Sequence, residues 1–304
     1  LFRERVWGRE SLAPYFPEIQ CAKPIGEAWF TFEENRTSLG GTLGELIAAR
    51  PEILGTAADR AHPGICPLLV KLLFTTERLS VQVHPDDEYA RDHHGCLGKT
   101  EAWYVMDVEP DAEVAVGFKK ALSCEQLKAS ALSGEIEHLL DWRKVRAGDV
   151  VFVPAGTVHA IGAGVTICEI QQNSDISYRL YDYGRPRELH LDHGANVSHL
   201  GPYTQGQESV ALAEWRDQLA ACRYFRMERL KLRGVATLGG GVPHYLLLVC
   251  TKGSGSIAGD PYIAGQTWMV PAHSAEFAVS GAGSEWILTY AASEPLGAGV
   301  IRST

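Results

Sequence analysis

Leu79-Ser-Val-Gln-Val-His84-Pro85 alternates apolar Leu79, Val81 and Val83 with polar Ser80, Gln82 and His84. A period of two marks a half-buried strand and predicts that the polar three share one face. Gln82 and His84 then stand about 7 Å apart along the strand, so an amide oxygen and an imidazole nitrogen could serve one metal ion. Taken alone, the segment reads as readily as an antiparallel strand with its polar face in water. Two further segments change the balance. Gly98-Lys99-Thr100-Glu101-Ala102-Trp103 enters another strand with Lys99 and Glu101 two positions apart, hence on one face. Val153-Pro-Ala-Gly-Thr-Val-His159 sets a second histidine after a tight turn. Gln82, His84, Glu101 and His159 together give two nitrogen and two oxygen donors. Such a set suits Zn²⁺ with an open coordination position, and Mn²⁺, Fe²⁺ and Co²⁺ accept the same donors. A thiolate-free set with spare coordination reads as catalytic rather than structural.

Downstream, Cys168-Glu169-Ile-Gln-Gln-Asn-Ser-Asp-Ile-Ser-Tyr-Arg179-Leu-Tyr-Asp-Tyr-Gly-Arg185 is dense in polar groups directly after an apolar run. A surface loop laced with ion pairs is one reading. The other is an anion site, because an arginine beside a metal is costly to bury unless an anion completes the charge balance. A phosphorylated ligand would do so, and Lys99 suits the same anion.

The elements that must position these residues are mostly strands. The chain has 304 residues, 31 of them glycine, with a formal net charge of −9 and 21% charged residues. That length allows one large domain or two small ones. An acidic balance argues against a nucleic-acid partner, and no apolar run approaches the roughly 18 residues of a membrane helix. The N-terminal LFRERVWGRE lacks the apolar core of a signal peptide. Seven cysteines, none closer than 28 positions to the next, show neither a metal clip nor a disulfide framework, which points to a cytoplasmic protein. Short β-branched runs at Leu79–Val83, Ala102–Val108, Asp149–Val153, Val165–Ile170, Tyr245–Cys250 and Trp286–Tyr290 predict a mainly β fold with helical insertions. Thr42 with Glu45 and Ser123 with Gln126 form capping boxes that open two helices; Asp86-Asp87-Glu88 opens another. A further helical pattern spans 209–222. Ala147-Gly-Asp-Val-Val-Phe-Val-Pro-Ala155 is echoed by Ala264-Gly-Gln-Thr-Trp-Met-Val-Pro-Ala272 at an offset of 117 positions. Both segments have the style of a double-stranded β-helix (cupin or jelly-roll) barrel, so the chain is expected to hold two. His159 is replaced by Glu276 at the matching place, which makes the second barrel the degenerate one.

VQVHPDD, GKTEAWYV, VPAGTVHAIG and EIQQNSDISYRLYDYGR resemble, in order, the signature segments of type I mannose-6-phosphate isomerase (phosphomannose isomerase). Val6–Gly8, Ile25–Trp29 and Pro67–Leu73 resemble the same family, so the likeness runs from about residue 6 to about residue 195. The length is similar to the short bacterial form. The resemblance implies a zinc-dependent aldose–ketose isomerase acting on a small sugar phosphate, with Gln82, His84, Glu101 and His159 as metal ligands. It further implies that Arg179, Lys99 and Glu169 act in catalysis, and that Ser80, Lys99 and Arg179 contact substrate. Lying between two strand-rich regions, the helical pattern reads as a connecting helix at 206–222, which leaves 1–205 as the catalytic domain and 223–304 as the part that resembles the family's degenerate second barrel. The sequence departs from long relatives at Ile161, where they carry tyrosine, and in LYDYGR, where they carry a lysine. A non-catalytic sugar-phosphate-binding protein would not require the whole set of Lys99, Glu169 and Arg179. An iron oxygenase would favour more histidines than this set offers.

Overall fold

The computed structural model describes residues 1–55 and 64–303. Among these residues the first half of the chain forms β1 (Phe2–Ser11), β2 (Gln20–Trp29), β3 (Leu68–Phe74), β4 (Val81–Val83), β5 (Glu101–Val108), β6 (Glu113–Phe118), β7 (Leu140–Lys144), β8 (Val150–Val153), β9 (His159–Ile161), β10 (Val165–Gln172) and β11 (Tyr178–Tyr181). The second half forms β12 (Val210–Ala213), β13 (Arg216–Ala221), β14 (Arg226–Lys231), β15 (Val235–Leu238), β16 (Leu246–Lys252), β17 (Ser254–Ile257), β18 (Asp260–Ile263), β19 (Thr267–Val270), β20 (Phe277–Ser280), β21 (Glu285–Tyr290) and β22 (Ile301–Ser303). The chain is therefore mainly β with few helices.

The halves are topological copies. In the first, a six-stranded sheet of order β1-β2-β3-β10-β5-β8 faces a five-stranded sheet of order β11-β4-β9-β6-β7. Adding eleven to each strand number gives β12-β13-β14-β21-β16-β19 and β22-β15-β20-β17-β18, the two sheets of the second half. The nine-residue echo seen in the sequence falls on β8 and β19, which occupy the same place in the two copies.

Alternation along β3 shows how the layers form. Leu68, Val70, Leu72 and Phe74 join a core shared with Met227, Leu247, Val249 and Ile287, so the halves pack through the outer faces of their six-stranded sheets. Leu73 points the other way, into a core with Trp103, Val116, Ile161 and Ile167 between the two sheets of the first half. Val81 and Val83 bury against Leu127, Ala131 and Ile136 on the outer face of the five-stranded sheet. That outer layer is the helical insertion. Its helix Cys124–Ser133 opens with the capping box of Ser123 and Gln126, and Leu43–Ala49 opens with that of Thr42 and Glu45.

The stretch 206–222 is not the expected connecting helix. It carries β12 and β13, which form a hairpin and so begin the second copy. Ala211, Leu212, Ala213, Leu219 and Ala220 have good local helix propensity, but cross-strand partners decide the outcome. Arg216 pairs with Glu228 at 2.7 Å and Asp217 with Arg229 at 2.7 Å, both across β13 and β14. Glu228 is fully buried and also accepts from the Tyr290 hydroxyl, while Arg216 Nη1 donates to the Leu296 carbonyl at 2.8 Å. Removing one partner strands a buried charge, so Arg216→Ala is expected to lower unfolding free energy by about 3–5 kcal/mol. The joint change Arg216→Met with Glu228→Leu is expected to cost far less, and urea titration of both variants checks the pair.

Candidate metal centre and cavity

Each metal-ligand candidate is placed by strand register. His159 opens β9 directly opposite Gln82 of β4, and Arg179 of β11 opposes Gln82 from the other side. Glu101 opens β5 opposite Gln171 of β10. His84 follows β4, ahead of the helix Asp87–His94 that Asp86 caps. The ligand atoms of His84, Glu101 and His159 lie within 4.8 Å of one another, and all three residues are buried. His84 Nε2 stands 3.5 Å from Glu101 Oε2, and His159 Nε2 stands 3.5 Å from Glu101 Oε1. The Gln82 amide nitrogen is 3.3 Å from His159 Nε2.

Both imidazoles are oriented from behind. His84 Nδ1 donates to the Ile176 carbonyl at 2.9 Å and His159 Nδ1 to the Thr157 carbonyl at 2.8 Å. With Nδ1 carrying the proton, each Nε2 presents its lone pair to the shared centre, the arrangement typical of metal-bound histidine. Burial, reinforced by the Lys99 charge, keeps His84 neutral well below the usual histidine range. Burial likewise lowers His159 to about 4. Two neutral imidazoles, one carboxylate and one amide fit a divalent transition ion. The donors already attract a cation, since Lys99 Nζ lies 3.0 Å from His84 Nε2 and touches Glu101.

The loop carrying Lys99 is tightly held. Lys99 N–H donates to the Pro85 carbonyl at 2.9 Å, and Gly98 N–H donates to Asp87 Oδ1 at 3.0 Å. A Cβ on Gly98 would lie 2.4 Å from the Asp86 carbonyl carbon, so only glycine permits this approach. Asp87 also accepts from Gln172 at 2.8 Å, and from Tyr224 at 2.7 Å and Arg223 at 2.6 Å in the second half of the chain.

A cavity of about 480 Å³ opens beside the donors, lined by Lys71, Ser80, Gln82, Lys99, Glu169 and Arg179 among others. Glu169 faces Lys71 at 3.7 Å. The Trp103 indole N–H donates to Glu101 at 3.0 Å and to Glu169 at 3.1 Å, bridging the two carboxylates. Burial alone would raise the Glu169 carboxyl, but the Lys99 and Lys71 ammoniums outweigh it and hold it below its ordinary value. Burial and the Glu169 charge push Glu101 the other way, above its ordinary value. Burial also lowers Lys71, against the pull of Glu169.

His84, Glu101 and His159 thus converge with the Gln82 amide nitrogen against His159, and Ser80, Lys99, Glu169 and Arg179 line the adjoining cavity. Sequence reasoning missed Lys71 and Arg187. A signal existed for Lys71, which is the sole charge in the wholly buried strand Leu68–Phe74. Arg187 had none; it lines the cavity while held by Asp182 through two bonds of 2.6 Å. Glu276, which replaces the last histidine in the second copy, pairs with Arg302 at the surface.

The second copy carries no equivalent centre among the described residues. Across the first copy, Trp29, Lys71, Glu169, Trp103 and Val151 form one rung of directly opposed residues. The matching rung reads Gln218, Glu228, Leu288, Leu248 and Trp268. Leu246 opposes Val270 where Glu101 opposes Val153. Leucines therefore occupy both carboxylate positions and close that interior into an apolar core.

Residues 2–123 match the family described as phosphomannose isomerase type I, catalytic domain. The chain is 38% identical to the mannose-6-phosphate isomerase ManA of Bacillus subtilis, over 92% of this chain and 94% of that protein. It is 34% identical to the mannose-6-phosphate isomerase of Streptococcus mutans, over 84% of each. Among solved structures, the mannose 6-phosphate isomerase of Bacillus subtilis superposes with a TM-score of 0.83 at 31% identity, covering 95% of this chain and 97% of that one. A phosphomannose isomerase from Salmonella typhimurium shares the fold at a TM-score of 0.76 and 16% identity. With two relatives above 30% identity aligned along most of its length, this chain belongs to the type I phosphomannose isomerase family.

Proposed function

We propose that the chain interconverts mannose 6-phosphate and fructose 6-phosphate by proton transfer through an enediol, with one Zn²⁺ held by Gln82, His84, Glu101 and His159. The observation that carries this reading is the buried group of His84, Glu101 and His159, its imidazoles pre-oriented, opening onto a cavity that also holds Gln82, Glu169, Lys71 and Lys99. When bound, a divalent ion there supplies Lewis-acid stabilisation of the negative charge that develops on the sugar oxygens. Glu169 is the base. Its carboxylate is kept ionised by two ammoniums, so it can take the proton from one of C1 and C2 and return it to the other. Lys99 and Lys71 balance the charge of the enediol as it forms.

The phosphate end lies at Arg179, Arg187 and Ser80. Arg187 pairs with Asp182 at 2.6 Å, Arg185 meets it at 3.2 Å and Arg179 Nε stands 4.0 Å away, so three guanidiniums share one carboxylate. Arg179 Nε is buried without a hydrogen-bond partner. A dianionic phosphate would balance the excess charge, and bidentate arginine contacts suit it. Two barrels of the cupin type, the second without chemistry, are the natural description of the repeated sheets. The seven free cysteines fit a reducing cytoplasm.

The test is a coupled assay of mannose 6-phosphate turnover by untreated, chelator-treated and zinc-restored protein. Fructose 6-phosphate formation that chelation removes and zinc returns is the expected result. Turnover indifferent to chelation defeats the metal assignment. Metal-loaded protein that binds the sugar phosphate without converting it defeats the isomerase reading in favour of a binding protein.

A further inference from the structure

Val6-Trp7-Gly8 and Ile25-Gly-Glu-Ala-Trp29 carry none of the chemistry described so far, and the structure joins them at the cavity rim. The pairing of β1 with β2 passes from Glu4 opposite Ile25 to Arg9 opposite Ile25, so Arg5 to Gly8 bulge out of register. A Cβ on Gly8 would fall 2.3 Å from the Ile25 carbonyl carbon, and one on Gly26 2.5 Å from the Trp7 ring; the bulge requires both glycines. Arg5, Trp7, Glu27 and Trp29 line the cavity there.

Beneath the bulge, contacts run inward without a break. Arg5 Nη2 donates to Glu27 Oε2 at 2.7 Å, and the Trp29 indole N–H donates to the same oxygen at 2.9 Å. Phe32 meets the Trp29 ring edge-on at 5.3 Å. Trp29 opposes Lys71 in register, and Lys71 Nζ lies 4.3 Å from its ring centroid. The other charged groups around Lys71 are Glu169 on β10, Lys99 and Glu101 on the β5 side, and Glu27 on β2. An ammonium stripped of water needs compensation. Glu169 alone is shared with Lys99, whereas the face of an indole and a second carboxylate supply what is missing.

We propose that Trp29 and Glu27 are positioning residues for the isomerisation, holding the Lys71 ammonium charged and aimed at Glu169, with Arg5 of the bulge fixing Glu27 from outside. The proposal rests on the isomerase reading above. It gives the bulge and the segment ending at Trp29 a role that reaches Glu169 through Lys71.

The experiment compares Trp29→Leu, Trp29→Phe and the near-isosteric Glu27→Gln in the full-length, zinc-loaded protein. Trp29→Leu and Glu27→Gln are expected to lower kcat about tenfold while KM for mannose 6-phosphate moves less than about threefold. Trp29→Phe keeps a ring face and is expected to recover to within about threefold of the parent. A second readout needs no turnover: acetylation of Lys71 by acetic anhydride at a fixed mildly alkaline pH, followed by peptide mass spectrometry. An amine less firmly protonated reacts faster, so labelling is expected to quicken about tenfold in Trp29→Leu and Glu27→Gln. Trp29→Phe as impaired as Trp29→Leu, a loss carried by KM, or unchanged Lys71 labelling in both variants would each overturn the proposal. If the parent protein does not convert mannose 6-phosphate, the isomerase reading fails, and Lys71 labelling still decides whether Trp29 and Glu27 hold the ammonium.

Discussion

Glu101→Gln is expected to cost the protein its metal and at least roughly 10³-fold in turnover, because several kcal/mol of charge stabilisation go with the ion. Glu101 is the only anionic member of the donor set, and its two oxygens face His84 Nε2 and His159 Nε2 at 3.5 Å each. A glutamine keeps the shape and still accepts from the Trp103 indole, so the change isolates charge from packing. What it removes is the carboxylate that would hold a dication among two neutral imidazoles, and the partner of the buried Lys99 ammonium. Metal content measured by atomic emission after gel filtration, alongside turnover, checks both parts. A variant that retains stoichiometric zinc and more than a tenth of the parent kcat removes Glu101 from the ligand set.

With Glu169 as the proposed base, Glu169→Gln is expected to separate proton transfer from metal binding. The expected loss in kcat is about 10²–10⁴-fold, the usual contribution of a positioned base, with zinc content unchanged. KM for the sugar phosphate is expected to stay close to that of the parent, since the guanidiniums at Asp182 lie on β11 and the segment after it, not on β10. Glutamine preserves acceptance from the Trp103 indole but leaves Lys71 facing a neutral amide where an anion stood at 3.7 Å. Measuring kcat, KM and zinc on one preparation distinguishes the outcomes. If kcat and zinc fall together, Glu169 supports the metal rather than the proton; if kcat holds with zinc in place, Glu169 is not the base.

The site was legible in the sequence to the extent that it is local. Ser80, Gln82 and His84 share a face because strand geometry fixes it, and Lys99 with Glu101 follows the same rule. What could not be read is which strands lie side by side. The rung Trp29, Lys71, Glu169 and Trp103 draws on segments separated by up to about 140 positions, and nothing in any one of them announces the register. The same blindness explains the error at 206–222, where local propensity favours helix and the ion pairs across β13 and β14 favour a sheet. The repeat shows the effect on a larger scale. Only nine residues echo visibly, yet all twenty-two described strands obey one rule of order, because a fold can keep its strand order while most side chains drift.

Asp87 connects these levels. One of its oxygens anchors the amide of Gly98, next to Lys99, while the other is gripped by Arg223 and Tyr224 from the second copy. Opening the second copy would therefore free one of the two oxygens of the carboxylate that braces the turn before Lys99, although the described residues of that copy contribute no ligand of their own. Among its contacts, the second copy thus includes a brace for the turn that carries Lys99.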